Sequence, residues 1–269
     1  MKPVMQKIKK LIHSKTTHQG LFLVSIFGIW EVLARTGNLP ALLVPAFSDV
    51  LQVFIAQLTK GELLNRTLFS LYLISYGLGI AIILAFFVTS LAVCLPLIAD
   101  WVQVLMAIMH PLPGIAILPI IILWLGTGAQ SIIAVILISS IWPVMANLNI
   151  GLRSIPSMQV EAARNLGLHG LQLVWSIMLP SSFPHILSGL RIGWARAWQA
   201  AIAAEMVFGA CGGEGGLGWF IYKKRFFMEI PEVFAGMAVI VLIGIIIERG
   251  FFEGIEQRTI RRWGMTTHV

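Results

Sequence analysis

An all-α membrane protein with six transmembrane helices is predicted from three observations. Mean hydropathy is +0.87. Of the 269 residues 58% are hydrophobic and 12% charged, whereas soluble domains carry about 25% charged residues. Between Arg66 and Arg153 the only charges are Asp100 and, when protonated, His110. A bilayer core about 30 Å thick takes roughly 20 apolar residues per helix, so this stretch holds several crossings.

Helices that are apolar all round give no periodic signal, so length, charge gaps and Pro or Gly punctuation place the spans. The first covers about 20–35, with Glu31 near its end. Lys2, Lys7, Lys9, Lys10 and Lys15 precede it as in a signal peptide, but no small-residue cleavage site follows Trp30 and Glu31, which predicts a retained helix. The second span covers about 68–95. The third and fourth share the uncharged run 101–152, which is too long for one crossing and is broken at Gly126-Thr127-Gly128. The fifth covers about 186–208 and the sixth about 233–253. Between the first two, residues 36–66 contain Pro40 and Pro45 and then an amphipathic stretch, 49–58, expected to lie along the membrane surface. The chain then divides into a tail, 1–19, one transmembrane domain, 20–257, with a polar loop at 154–184, and a second tail, 258–269.

Basic residues near helix ends set the orientation. With the N-terminus inside, ten fall on the cytoplasmic side, among them Arg153, Arg164, Arg258, Arg261 and Arg262. Six fall outside: Arg35, Lys60, Arg66, Lys223, Lys224 and Arg225. The count favours cytoplasmic termini, against the pull of the Lys223-Lys224-Arg225 cluster. The net charge of +7 follows this placement at span ends and does not point to nucleic acid. Cys94 and Cys211 form neither metal spacing nor a disulfide framework.

The most informative polar segment lies between the fourth and fifth spans. Pro156 suits the first turn of a helix and Gly167 the left-handed position that ends one, which predicts a short helix over about 156–166. Its paired Ala162 and Ala163 give a low surface that another protein approaches closely, with Glu161 and Arg164 beside it. Pro180 and Pro184 stop a second short helix before the chain re-enters the membrane. The segment reads Glu161-Ala162-Ala163, three residues, Gly167, nine residues, Ile177, one residue, Leu179-Pro180.

This pattern resembles the EAA loop of ABC importer permeases at every fixed position. Pro111-Leu112-Pro113, Leu118-Pro119, Leu123-Trp124-Leu125-Gly126-Thr127-Gly128, Gly189-Leu190-Arg191-Ile192-Gly193 and Ala204-Glu205-Met206 are similar to permeases of the nitrate, sulfonate and taurine class. The glycine-rich run from Cys211 to Gly216 departs from the taurine branch, so the substrate stays open. The resemblance implies that Glu161, Ala162, Ala163 and Gly167 couple the chain to a cytoplasmic ATPase dimer. It further implies a second permease copy, a periplasmic or lipid-anchored binding protein, and the bacterial inner membrane as location. The solute implied is a small anion such as nitrate, a sulfonate or taurine, with a pyrimidine-type vitamin precursor as the alternative.

No G-x-x-x-x-G-K-[ST] phosphate loop occurs, so ATP and magnesium are expected on the partner ATPase, with no cofactor, metal or catalytic residue in this chain. Gly213 to Gly218 matches G-x-G-x-x-G, but it follows an apolar helix and no strand, which reads as an outer loop or re-entrant turn. Charges inside spans are candidate pathway residues: Arg191, Arg196 and Glu205 on the fifth helix, and His110 beside Pro111. At 100° per residue Arg191 and Glu205 lie within about 40° of one face, and Arg196 about opposite Glu205. Alternatively Arg191 and Glu205 reach the inner and outer interfaces, and His110 is satisfied by a neighbouring helix. Two further classes are weighed. An ion-coupled secondary transporter needs carboxylates and an inverted repeat that the chain lacks, and a membrane enzyme needs a His, Asp or Ser cluster that it also lacks.

Overall fold

The computed structural model describes residues 15–37, 40, 42–59, 61–208 and 215–262, with side chains from residue 18 onward. The lysines at positions 2, 7, 9, 10 and 60, together with Cys211, Gly213 and Glu214, lie outside this description. All regular structure among the described residues is helical. We number the helices α1 (Lys15–Thr36), α2 (Phe47–Thr59), α3 (Leu63–Cys94), α4 (Pro96–Met109), α5 (Leu118–Leu125), α6 (Ala129–Arg153) and α7 (Ser157–Asn165). There follow α8 (Gly170–Ser181), α9 (Phe183–Phe208), α10 (Leu217–Phe226) and α11 (Ile230–Arg258).

Three described helices, α3, α6 and α11, are long and apolar enough to cross a membrane. Two bent pairs bring the number to five if each is one span. A sixth crossing requires α1. The third predicted span is therefore not one continuous helix. It breaks after Met109, and a 3-10 turn, Gly114–Ile117, leads into α5 at 91° to α4. The cause is local: Pro111 and Pro113 lack the N–H groups that continuing the helix requires. The fifth predicted span begins earlier than expected, at Phe183, and meets α8 at 79°.

The surface is inverted relative to a water-soluble protein. Leu21, Ile83, Trp101 and Val241 are each about 60–70% exposed, while Ser70, Ser131, Ser140 and Glu205 are fully buried. In lipid a buried hydroxyl is costly unless it finds a partner inside the protein, and most here do, the Thr89 and Ser90 hydroxyls being exceptions. Ser140 donates to the Ile136 carbonyl at 2.7 Å and Ser131 to that of Gly126 at 2.6 Å. The amphipathic α2 is held by aromatic contacts, Phe27 stacking on Phe47 with ring centres 4.5 Å apart, and by the Trp30 indole donating to the Pro45 carbonyl.

Lipid tails are as apolar as leucine, so helices gain little by hiding apolar surface from them and associate mainly by close packing. The α6–α9 pair shows this directly. A Cβ on Gly189 would lie 2.7 Å from the Asn147 Cβ, and one on Gly193 would lie 2.6 Å from a Val144 methyl. One on Gly151 would lie 2.8 Å from the His185 Cβ. Gly77 gives α3 a similar approach to Ile136 of α6. We predict that Gly193→Val destabilises the protein by about 1–3 kcal/mol, as overpacking does. Gly244→Ala on α11, with no neighbour within 4 Å, leaves the melting temperature in detergent unchanged.

Candidate functional site

The loop between α6 and α9 forms a short helix between two sharp punctuations. Pro156 precedes α7 in an extended conformation and Gly167 follows it at φ +87°. The Gly167 N–H donates to the Arg164 carbonyl at 2.9 Å and the Leu168 N–H to the Ala163 carbonyl at 3.1 Å. These are the two bonds of a Schellman motif, with Leu168 and Ala163 supplying its apolar contact.

The two alanines have different surroundings. Ala163 is 4% exposed and joins the apolar cluster that holds Leu173, Val174 and Met178 of α8, the helix against which α7 packs and which itself packs on α3 and α6. Ala162 faces outward with Glu161 and Arg164. Met158 and Leu166, 76% and 83% exposed, stand one turn to either side of Ala162 on the same face. The result is an apolar ridge with a low centre and charged flanks, on a polar loop outside every candidate span. The sequence reading missed Met158 and Leu166, although their i, i+4, i+8 spacing through Ala162 was available.

The break after α4 creates a second feature. A cavity of about 220 Å³ is lined by His110, Pro113 and Gly114 from the break, Ser139, Trp142 and Pro143 from α6, and Arg196, Gln199 and Ala203 from α9. Pro143 lies inside α6 and cannot donate to the Ser139 carbonyl one turn back, so the helix is loosened at the cavity wall. The cavity thus brings His110 and Arg196 together and adds Ser139, Trp142 and Gln199, which the sequence reading did not select. Arg196 is exposed and forms no ion pair with a described residue.

Arg191 and Glu205 lie elsewhere. Arg191 is paired with Glu248 and Glu256 of α11, at 3.1 Å each, and stands over the Phe252 ring. Glu205 does not reach an outer interface: it is 0% exposed. The Ser70 hydroxyl lies 2.7 and 2.9 Å from its two oxygens, and the Gly218 N–H donates to it at 2.8 Å. A wheel projection groups Arg191 and Glu205 by angle only, whereas they are 14 positions apart along α9 and meet different neighbours. At the same end as Glu205, Arg66 donates to the Gly215 carbonyl at 2.8 Å, and its hydrogen bond to Glu62 holds that carboxyl below its ordinary range. Among the described residues no cluster of His, Cys, Asp and Glu is arranged to hold a metal.

A Cβ added at Gly167 would meet nothing within 4 Å, so a substitution there is opposed by backbone conformation alone. We predict that Gly167→Ala costs the left-handed penalty of about 1–2 kcal/mol. Amide exchange over 163–168 should quicken several-fold while the spanning helices stay protected.

Comparison with known proteins identifies the family. The family model described as "Binding-protein-dependent transport system inner membrane component" matches residues 53–261. A candidate ABC transporter permease of Methanocaldococcus jannaschii is 31% identical over 82% of this chain and 83% of its own length. The taurine transport system permease protein of Escherichia coli K12 is 28% identical, covering 90% of this chain and 87% of its own. The formylaminopyrimidine transport permease protein of Halalkalibacterium halodurans is 29% identical, covering 84% and 88%. The chain therefore belongs to the binding-protein-dependent transport system inner membrane component family and is the membrane permease subunit of an ABC importer, whose ATPase is a separate subunit.

Proposed function

We propose that two copies of this chain form a solute pathway in the bacterial inner membrane, with both termini cytoplasmic, and that an ATPase dimer drives it by gripping α7. The observation that carries this reading is the division of labour between the paired alanines. Ala163 is sunk into the core against α8, so a push on α7 is passed through α8 to the spanning helices α3, α6 and α9, while the ridge of Met158, Ala162 and Leu166 is left uncovered. An exposed apolar ridge outside the spans has no lipid to face and suits a groove on a protein partner. Glu161 and Arg164 at its flank set register by charge. ATP and magnesium act on that partner.

The cavity between His110 and Arg196 is the part of the proposed pathway that meets the solute. An uncompensated guanidinium beside an amide and an indole favours a small anion over a cation. A binding protein on the outer face would deliver it. Taurine, an alkanesulfonate, nitrate and a formylaminopyrimidine are the solutes to screen, because relatives are named for each class.

Two outcomes test this reading. Glu161→Lys and Ala162→Trp should each lose the ATPase on co-purification in detergent while the permease itself elutes and melts as before. Retention of the ATPase by both variants would remove α7 as the docking element. Arg196→Gln should keep the ATPase bound but raise the half-saturating solute concentration for uptake about tenfold or more, as loss of a charged hydrogen bond does. An unchanged concentration dependence would take Arg196 out of the pathway.

A further inference from the structure

Glu205 is the one charged residue among the buried residues described, and its partners are all neutral. They come from two other helices. Ser70 of α3 donates to the Glu205 carboxyl and at the same time accepts the Leu217 N–H at 2.8 Å. Gly218 donates its N–H to the carboxyl directly. Both N–H groups belong to the first turn of α10, where no intrahelical acceptor exists and the helix dipole is positive. The backbone rests against α9 with no room for a side chain: a Cβ on Gly216 would lie 2.2 Å from a Glu205 oxygen, and one on Gly218 would lie 2.3 Å from the Ile202 carbonyl.

Apolar packing alone would hold two helices together at lower cost than a buried acid. What the acid adds is direction, since its hydrogen bonds fix the start of α10 in one orientation on the end of α9. The far end of α10 is quite different. It carries Lys223, Lys224 and Arg225 and then the exposed Phe226 and Phe227. At its opposite end α9 continues through Ser182 into α8 and the α7 loop. Its 26 residues make a rod of about 39 Å that packs on α6, with the glycine contacts in its first half.

We propose that Glu205, with Ser70, is a positioning residue for transport: it pins the start of α10 to α9, so that a displacement of α9 imposed at α7 reaches the basic, aromatic tip of α10. The proposal rests on the reading of α7 as the ATPase dock. Its test is made on the assembled complex in lipid nanodiscs, with amide exchange over 217–226 followed with and without ATP and vanadate. In the unaltered complex nucleotide trapping should change exchange across α10. In Glu205→Ala the complex should assemble and keep basal ATP hydrolysis within about twofold, since α7 is untouched. Exchange at 217–221 should rise about tenfold from the orphaned donors, and the response to trapping should vanish. Glu205→Gln, which keeps an acceptor for Gly218, should restore most of the response.

Two results would overturn the proposal. One is a Glu205→Ala complex whose α10 responds to trapping like the original. The other is a joint loss of assembly, basal hydrolysis and α10 protection in both Glu205 variants, which would make the group a general stabiliser of the fold. Failure of the docking reading is separate and visible elsewhere, as ATPase retention by both Glu161→Lys and Ala162→Trp.

Discussion

The close approach of α6 and α9 is the contact on which the rest of the molecule is built. In a bilayer this pair cannot be driven together by hiding apolar surface, so it depends on dispersion and steric fit. Gly151, Gly189 and Gly193 supply the fit by removing the side chains that would hold the helices apart. Each functional feature then uses one part of the pair. The α7 loop joins its two ends at Arg153 and Phe183, the cavity is cut into its side at Ser139, Trp142, Arg196 and Gln199, and the buried carboxyl sits at the far end of α9. A rigid pair with sites at its ends and middle is suited to alternate between two packings rather than deform continuously.

The loop motif acquires a physical meaning from this arrangement. One alanine is small because it enters the core against α8, and the other leaves the low centre of an exposed ridge, the surface proposed to receive the ATPase. Gly167 is needed for its positive φ, which allows the Schellman bonds to end α7 after nine residues. Proline and glycine thus set the length of α7, and the alanines set its two faces.

Much of this is legible in the sequence where signals are local. The short helix predicted over 156–166 occupies Ser157–Asn165, because Pro156 and Gly167 act on their immediate backbone. The all-helical membrane class follows from charge-free length alone. The break after α4 is less legible: Pro111 and Pro113 are visible, yet uniform hydropathy conceals that the chain turns there by 91°. Likewise α10 cannot be separated as a helix, since its ten residues mix apolar and basic side chains and follow a glycine run. Glu205 is suspect in the sequence as a charge within a span, but its partners on α3 and α10 lie 135 and 13 positions away, and no local pattern points to Ser70.

The central claim is that both ends of α9 move together. In the proposed assembly of two copies, spin labels at Leu166→Cys and, separately, Phe226→Cys, after replacement of Cys94 and Cys211, report the distance between copies at each end of the protein. Both positions are exposed, at 83% and 72%. The account predicts that ATP with vanadate shifts both distances, and that Glu205→Ala abolishes the shift at Phe226 while preserving that at Leu166. A shift confined to Leu166 in the unaltered complex would contradict it.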